Sequence, residues 1–92
     1  MNDVIEVDVD ELEKLVSAGA VLTAVLEGHG RYFVLRATTR GGPVVLAAAR
    51  GNLRRFVHAN TALALVNRLG INDVTVSHLS RWTPEQREMR AM

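Results

Sequence analysis

The spacing of hydrophobic residues changes several times along the chain, and each change predicts an element of secondary structure. Near the start, apolar residues recur at helical spacing at Val9, Leu12, Leu15 and Val16. Asp8 precedes this stripe and Glu11 follows three residues later, which is the pattern of a capping box. We therefore expect a helix that begins after Asp8 and stops near Gly19, with its acidic residues stabilising the first turn. The alternative is an acidic docking surface.

Three segments follow that predict strands, at residues 20–27, 31–38 and 44–49, and apolar and polar residues alternate along the first two. The first two are separated by Gly28-His29-Gly30, a short connection with the glycines that a hairpin needs. A second turn falls at residues 39–43, which include two glycines and a proline. Together the three segments predict an antiparallel meander with one buried face.

The pattern after Gly51 is open to two interpretations. Residues 53–56 either extend the third strand past a bulge at Gly51 or already begin a helix, because so few residues do not fix a period. A clearer apolar stripe over residues 58–69 predicts a helix, and Gly70 supplies its stop signal. Residues 71–77 then predict a fourth strand.

The last segment has the features of another helix start, with Thr83 as N-cap and Pro84 at the first helical position. The complete pattern predicts one α+β domain over residues 1–92. Its small antiparallel sheet of about four strands, a three-stranded meander plus a C-terminal strand, packs against two helices. A short C-terminal helix completes the expected fold.

Composition limits the class of protein. The 92 residues are 48% hydrophobic, which is typical of a globular chain, and they include no cysteine. Disulfides and thiolate metal sites are therefore excluded. The acidic start lacks the apolar core of a signal peptide, and no apolar run approaches the ~20 residues that a membrane span needs. We expect a cytoplasmic protein without a membrane partner.

The residues that carry chemistry are scattered. His29, His58 and His78 do not have the spacing of metal ligands, and no pair of carboxylates stands out. The glycines match neither a dinucleotide-binding nor a phosphate-binding loop. The sequence therefore predicts no enzyme, no metal and no cofactor.

Charge is distributed unevenly, with a net −5 over residues 1–20 and +6 over residues 21–92. Ten of the eleven basic residues are arginine, which a GC-rich coding sequence explains, but arginine also grips phosphate and carboxylate groups. The candidate residues for nucleic-acid or partner binding are Arg40, Arg50, Arg54, Arg55 and Trp82. Phe56 is assigned to the core rather than to base stacking. Trp82 either packs as a hydrophobic staple on the last helix or anchors a partner.

The order of landmarks resembles the ParC-like, partition-associated proteins of bacterial plasmids and related mobile elements. The similarity covers roughly residues 4–88, and its most specific parts are VDELEKLVSAGAV at the start and the later segment LAAARGNLRRF with the following helix and LGI. The resemblance implies a small accessory protein without enzymatic activity. Similar proteins continue into a longer, charged C-terminal region, so the resemblance implies that this chain is a short version of the family without that extension.

Three functions remain open at this point. The first is an accessory factor in plasmid partition that acts by protein–protein contact, with DNA contact as an addition. The second is an inhibitor carried by a phage or mobile element, such as an anti-CRISPR protein, with a defence component as its partner. The third is a DNA-binding module that uses the arginines. A homodimer is a further expectation, because the edge strand of so small a sheet invites pairing.

Overall fold

The computed structural model describes residues 4–49 and 51–78. Arg50, Trp82 and the expected C-terminal helix lie outside the described residues. Within them the chain forms six strands and two helices in the order β1 (Ile5–Val7), α1 (Val9–Ser17), β2 (Val21–His29), β3 (Tyr32–Thr39), β4 (Gly42–Ala49), β5 (Asn52–Leu53), α2 (Ala59–Leu69) and β6 (Thr75–Ser77).

The sheet has the strand order β1-β4-β3-β2-β6, with β5 paired to β4. Strands β2, β3 and β4 form the antiparallel meander that the sequence predicts. The flanking strands β1 and β6 run parallel to β4 and β2, so the sheet is larger than expected and mixed. Each of these two strands is joined to the meander through a helix, and helical crossovers are the usual connection between parallel strands. The predicted α+β class is confirmed.

Helix α1 begins with the predicted capping box. The backbone N–H of Glu11 donates to Asp8 Oδ1 at 2.8 Å, and the N–H of Asp8 donates to Glu11 Oε1 at 2.8 Å. Helix α2 begins differently, since its N-cap His58 makes no side-chain hydrogen bond to the first turn. It ends at Gly70, whose φ of 89° is the left-handed conformation that favours glycine.

The β2–β3 connection and the segment after β4 differ from the expectation. Strand β2 continues through Gly28 to His29, so the hairpin turn falls at residues 30–31. After β4 the chain reverses at Gly51, whose φ is 81°, and β5 returns antiparallel along β4. Residues 53–56 therefore neither extend the third strand nor open a helix. Phe56 then pairs with Phe33 of β3 through two backbone hydrogen bonds of 2.8 and 2.9 Å.

Both helices pack against one face of the sheet, here called the helix face, and the opposite face is called the distal face. Alternate residues of each strand point to the helix face because side chains alternate along a strand. The core between the layers contains Val7, Leu12, Leu26, Phe33, Leu35, Ala37, Val44, Leu46, Phe56, Ala62, Leu65, Val66 and Leu69. The distal face also has buried apolar residues, at Val34, Val45 and Ala47.

Candidate functional site

The three predicted binding residues that the structure describes, Arg40, Arg54 and Arg55, do not form one site. Arg40 lies in the exposed turn between β3 and β4, where its backbone N–H donates to Ala20 O at 3.0 Å. Arg55 lies beside Tyr32, at the opposite end of β3. Eight residues of extended strand separate the two positions by about 25 Å. Arg40 is therefore too far from Arg55 for the two to act on one small ligand.

Arg54 and Arg55 point to opposite faces of the sheet, although they are adjacent in sequence. The guanidinium of Arg54 lies 5.0 Å from the ring centroid of Phe56, which belongs to the helix-face core. The guanidinium of Arg55 lies 5.1 Å from the ring centroid of Tyr32 on the distal face. The chain is extended here, and successive side chains of extended backbone point in opposite directions. The two arginines consequently serve two separate surfaces.

On the helix side, Arg54 borders a groove of about 410 Å³ between α2 and the start of α1. We call it the arginine groove, and its lining residues are Val9, Arg54, Asn60, Thr61, Ala64, Leu65 and Arg68. The five residues from α2 fall on one helical face, because their spacing follows the helix period. Two guanidinium groups and no carboxylate line the groove.

The arginines of the groove have no ion pair within residues 4–49 and 51–78, where every ion pair includes Glu27. Arg54 is half-buried and is held over the ring of Phe56, a cation–π contact that limits its motion. Arg68 is exposed on the last turn of α2, where a positive charge suits the helix dipole. The groove therefore offers positive charge that the described part of the chain does not neutralise.

The distal face carries a different arrangement, centred on Glu27 of β2. Its Oε1 accepts hydrogen bonds from His29 Nε2 and Arg36 Nε, both at 2.8 Å, and its Oε2 lies 3.3 Å from His78 Nδ1. The His29 ring stacks on the Tyr32 ring with centroids 5.9 Å apart, and the guanidinium of Arg55 lies over the same Tyr32 ring. We call this set of residues the Glu27 network.

The side chain of Glu27 is only 16% exposed. Burial alone would raise its pKa, but the hydrogen bonds from His29 and Arg36 outweigh burial and leave the pKa below its ordinary value. Glu27 is therefore a carboxylate at neutral pH, and its charge is matched by Arg36. The network is an internally satisfied cluster that stabilises the β2–β3 hairpin and the end of β6.

A third feature is an acidic cleft of about 320 Å³ beside the start of α1. Its carboxylates belong to Glu6, Asp8 and Glu11. The last two are occupied by the capping box, and Glu6 accepts a hydrogen bond of 2.8 Å from the backbone N–H of Gly51. These acids therefore act on the fold itself, holding the helix start and the β4–β5 turn.

Among the described residues, no group of three or more histidine, aspartate or glutamate side chains is arranged to hold a metal ion. None of the helices in this part of the chain is long and apolar enough to cross a membrane.

Comparison with known proteins gives no relative. Protein-family models, curated proteins and solved structures all lack a match to this chain. The fold and site thus define a two-layer α+β protein with a basic groove, and the resemblance to ParC-like proteins stays a prediction.

Sequence reasoning missed Arg68 as a site residue and the pairing of Glu27 with Arg36. Arg68 could have been found from the helical wheel of residues 58–69, since it lies on the face of Asn60 and Ala64. The Glu27–Arg36 pair depends on the register of the β2–β3 hairpin, in which Glu27 is opposite Val34 and Arg36 is opposite Val25. The two glycines near the turn left that register undetermined.

Proposed function

We propose that this protein is a non-enzymatic binding protein and that it holds an acidic segment of a partner protein in the arginine groove. Its biological setting, in this proposal, is that of an accessory factor of a plasmid or related mobile element, as the sequence resemblance implies. The observation that supports the binding site is the pair of arginines, Arg54 and Arg68, in a groove without a carboxylate.

The groove suits a ligand that has both carboxylate and apolar side chains. Val9, Ala64 and Leu65 give it an apolar lining, and the amide and hydroxyl groups of Asn60 and Thr61 are exposed beside them. A helical or extended segment with acidic and aliphatic residues would match both halves of this surface. Partially desolvated arginine–carboxylate pairs then supply specificity, and the apolar contact supplies affinity.

Double-stranded DNA fits the charge distribution less well. A duplex needs several cations along one surface, but Arg40 lies at the far end of the sheet and Arg55 on the distal face. Helix α1 begins at Val9, which lines the groove, and its first turn has the exposed acids Asp10 and Glu11. These carboxylates would repel a phosphate backbone that extends beyond the groove.

The test compares two probes and two charge-reversed variants. One probe is a fluorescent helical peptide in which glutamate and leucine residues alternate from turn to turn. The other is a fluorescent DNA duplex of 20 base pairs. The variants are Arg68→Glu in the groove and Arg40→Glu in the β3–β4 turn, which does not line the groove. Both variants change the net charge equally. We expect Arg68→Glu to weaken peptide binding about tenfold, which is about 1.4 kcal/mol. Arg40→Glu should stay within about twofold of the wild-type affinity because the long-range charge effect is screened.

Fluorescence anisotropy at moderate salt measures both affinities, and thermal unfolding checks that the variants fold. Equal weakening by the two variants would mean that net charge, and not the groove, attracts the peptide. Binding of the duplex with no binding of the peptide would replace the protein partner with a nucleic acid.

A further inference from the structure

The two edges of the sheet differ in their protection against pairing with another chain. Strand β6 forms one edge and pairs only with β2 among the described residues. Its residues Thr75, Val76 and Ser77 are uncharged, and Val76 is 47% exposed. Edge strands of soluble proteins are usually guarded by charged residues, proline or a bulge. Strand β6 has none of these.

Strand β1 forms the opposite edge and has such a guard. Its central residue is Glu6, so antiparallel pairing with a second β1 would place two glutamates directly opposite each other. Like charges at opposite positions destabilise a strand pair. Ile5 on β1 is 56% exposed, at least as much as Val76 on β6. The two edges therefore differ in charge and not in the exposure of an apolar residue.

We propose that two copies of this chain pair antiparallel through their β6 edges, with the two-fold axis at Val76. In this register Val76 lies opposite Val76 of the second copy, and Thr75 lies opposite Ser77 in both directions. The sequence of β6 is therefore self-complementary, because hydroxyl residues meet hydroxyl residues and the apolar residue meets itself. The sheet becomes continuous across the pair.

The position of Val76 within the sheet supports this register. Val76 lies opposite Leu26 of β2, so both side chains point to the helix face. Leu26 is fully buried, whereas Val76 is half exposed, because no strand in the described part of the chain pairs with the outer edge of β6. A second β6 would cover the outer side of Val76 and continue the apolar row that begins at Leu26.

Single-cysteine variants test the pairing without ambiguity, because the natural chain has no cysteine. Opposite residues of an antiparallel pair have Cα atoms about 4.5–5.5 Å apart, within the range of about 4.4–6.8 Å that a disulfide spans. We expect Val76→Cys to form a covalent dimer rapidly under mild oxidation of the full chain at micromolar concentration. Ile5→Cys is the matched control on the guarded edge and should form at least about tenfold less dimer, as measured on a non-reducing gel.

A second measurement avoids the cysteine. Val76→Lys places a charged residue on the edge strand β6, which disfavours pairing with a second chain. The substitution should shift the sedimentation coefficient of the full chain from that of a dimer towards that of a monomer. Equal cross-linking of Val76→Cys and Ile5→Cys would overturn the proposal. It would also be overturned if the wild-type chain sediments as a monomer at all concentrations and Val76→Cys does not cross-link. The pairing is independent of the groove, so Arg68→Glu should leave it unchanged.

Discussion

The two faces of the sheet use arginine in opposite ways. In the Glu27 network of the distal face, Arg36 bonds to a half-buried carboxylate at 2.8 Å, and Arg55 lies over Tyr32 at the edge of the same cluster. In the arginine groove of the helix side, Arg54 and Arg68 line a cavity without any carboxylate. In the first arrangement the arginine charge is paired with Glu27 and stabilises the fold. The second leaves its charge available for a partner, and this difference is the reason to place the binding function on the helix side.

The largest expected effect separates the two faces within one strand. Leu26 is buried in the helix-face core, and its neighbour Val25 is half-buried on the distal face. We expect Leu26→Ala to lower the free energy of unfolding by about 2–5 kcal/mol, because it opens a cavity in a packed interior. Val25→Ala removes less buried surface and should cost about 1 kcal/mol or less. Urea denaturation measures both values.

Similar losses for Leu26→Ala and Val25→Ala would show that the distal face is packed as tightly as the core between sheet and helices. The contrast between the faces would then have to rest on charge alone.

The success of the sequence prediction depends on how local each interaction is. The capping box of Asp8 and Glu11 spans four residues and was predicted correctly, and so was the stop at Gly70, since a short pattern contains all the information. The turn of the β2–β3 hairpin was misplaced because both Gly28 and Gly30 permit a reversal. The structure places it after His29, which sets the pairing of Glu27 with Arg36.

The site was harder to predict than the fold. Arg54 and Arg55 were grouped because they are adjacent, but an extended backbone sends adjacent side chains to opposite faces. Arg68 was left out because it is fourteen positions from Arg54 and comes near it only when α2 packs beside α1. Strand β1 was not predicted either, since three residues are too few to establish a period and it depends on β4 for its hydrogen bonds.

A smaller effect is expected from removing the charge of Glu27. Glu27→Gln keeps the size of the side chain but weakens the hydrogen bonds from His29 and Arg36. Both partners are more than a third exposed, so we expect a loss of about 1–2 kcal/mol, less than for a fully buried charged pair. Glu13→Gln makes the same chemical change on the exposed side of α1 and should alter stability by less than about 0.5 kcal/mol.

The pH dependence sharpens this prediction. The pKa of Glu27 is lower in the folded protein than in the unfolded chain, so its contribution is complete above the ordinary glutamate pKa and is lost as the pH falls through the folded pKa. The stability difference between wild type and Glu27→Gln should therefore shrink as the pH drops below about 4.3. A difference that persists unchanged at pH 2 would mean that the charge of Glu27 is not what stabilises the hairpin.

The smallest effect compares one arginine from each face. Arg36 and Arg68 are both accessible to solvent, but only Arg36 bonds to a carboxylate in the described structure. Arg36→Ala should lower the free energy of unfolding by about 0.5–1 kcal/mol, and Arg68→Ala by less than about 0.3 kcal/mol. Combined with Glu27→Gln, Arg36→Ala should cost less than it does alone, because the two residues are coupled in a double-mutant cycle. Arg68→Ala should remain independent of Glu27→Gln. A coupling between Arg68 and Glu27 would contradict the separation of a structural face from a binding face, since no contact joins the two side chains.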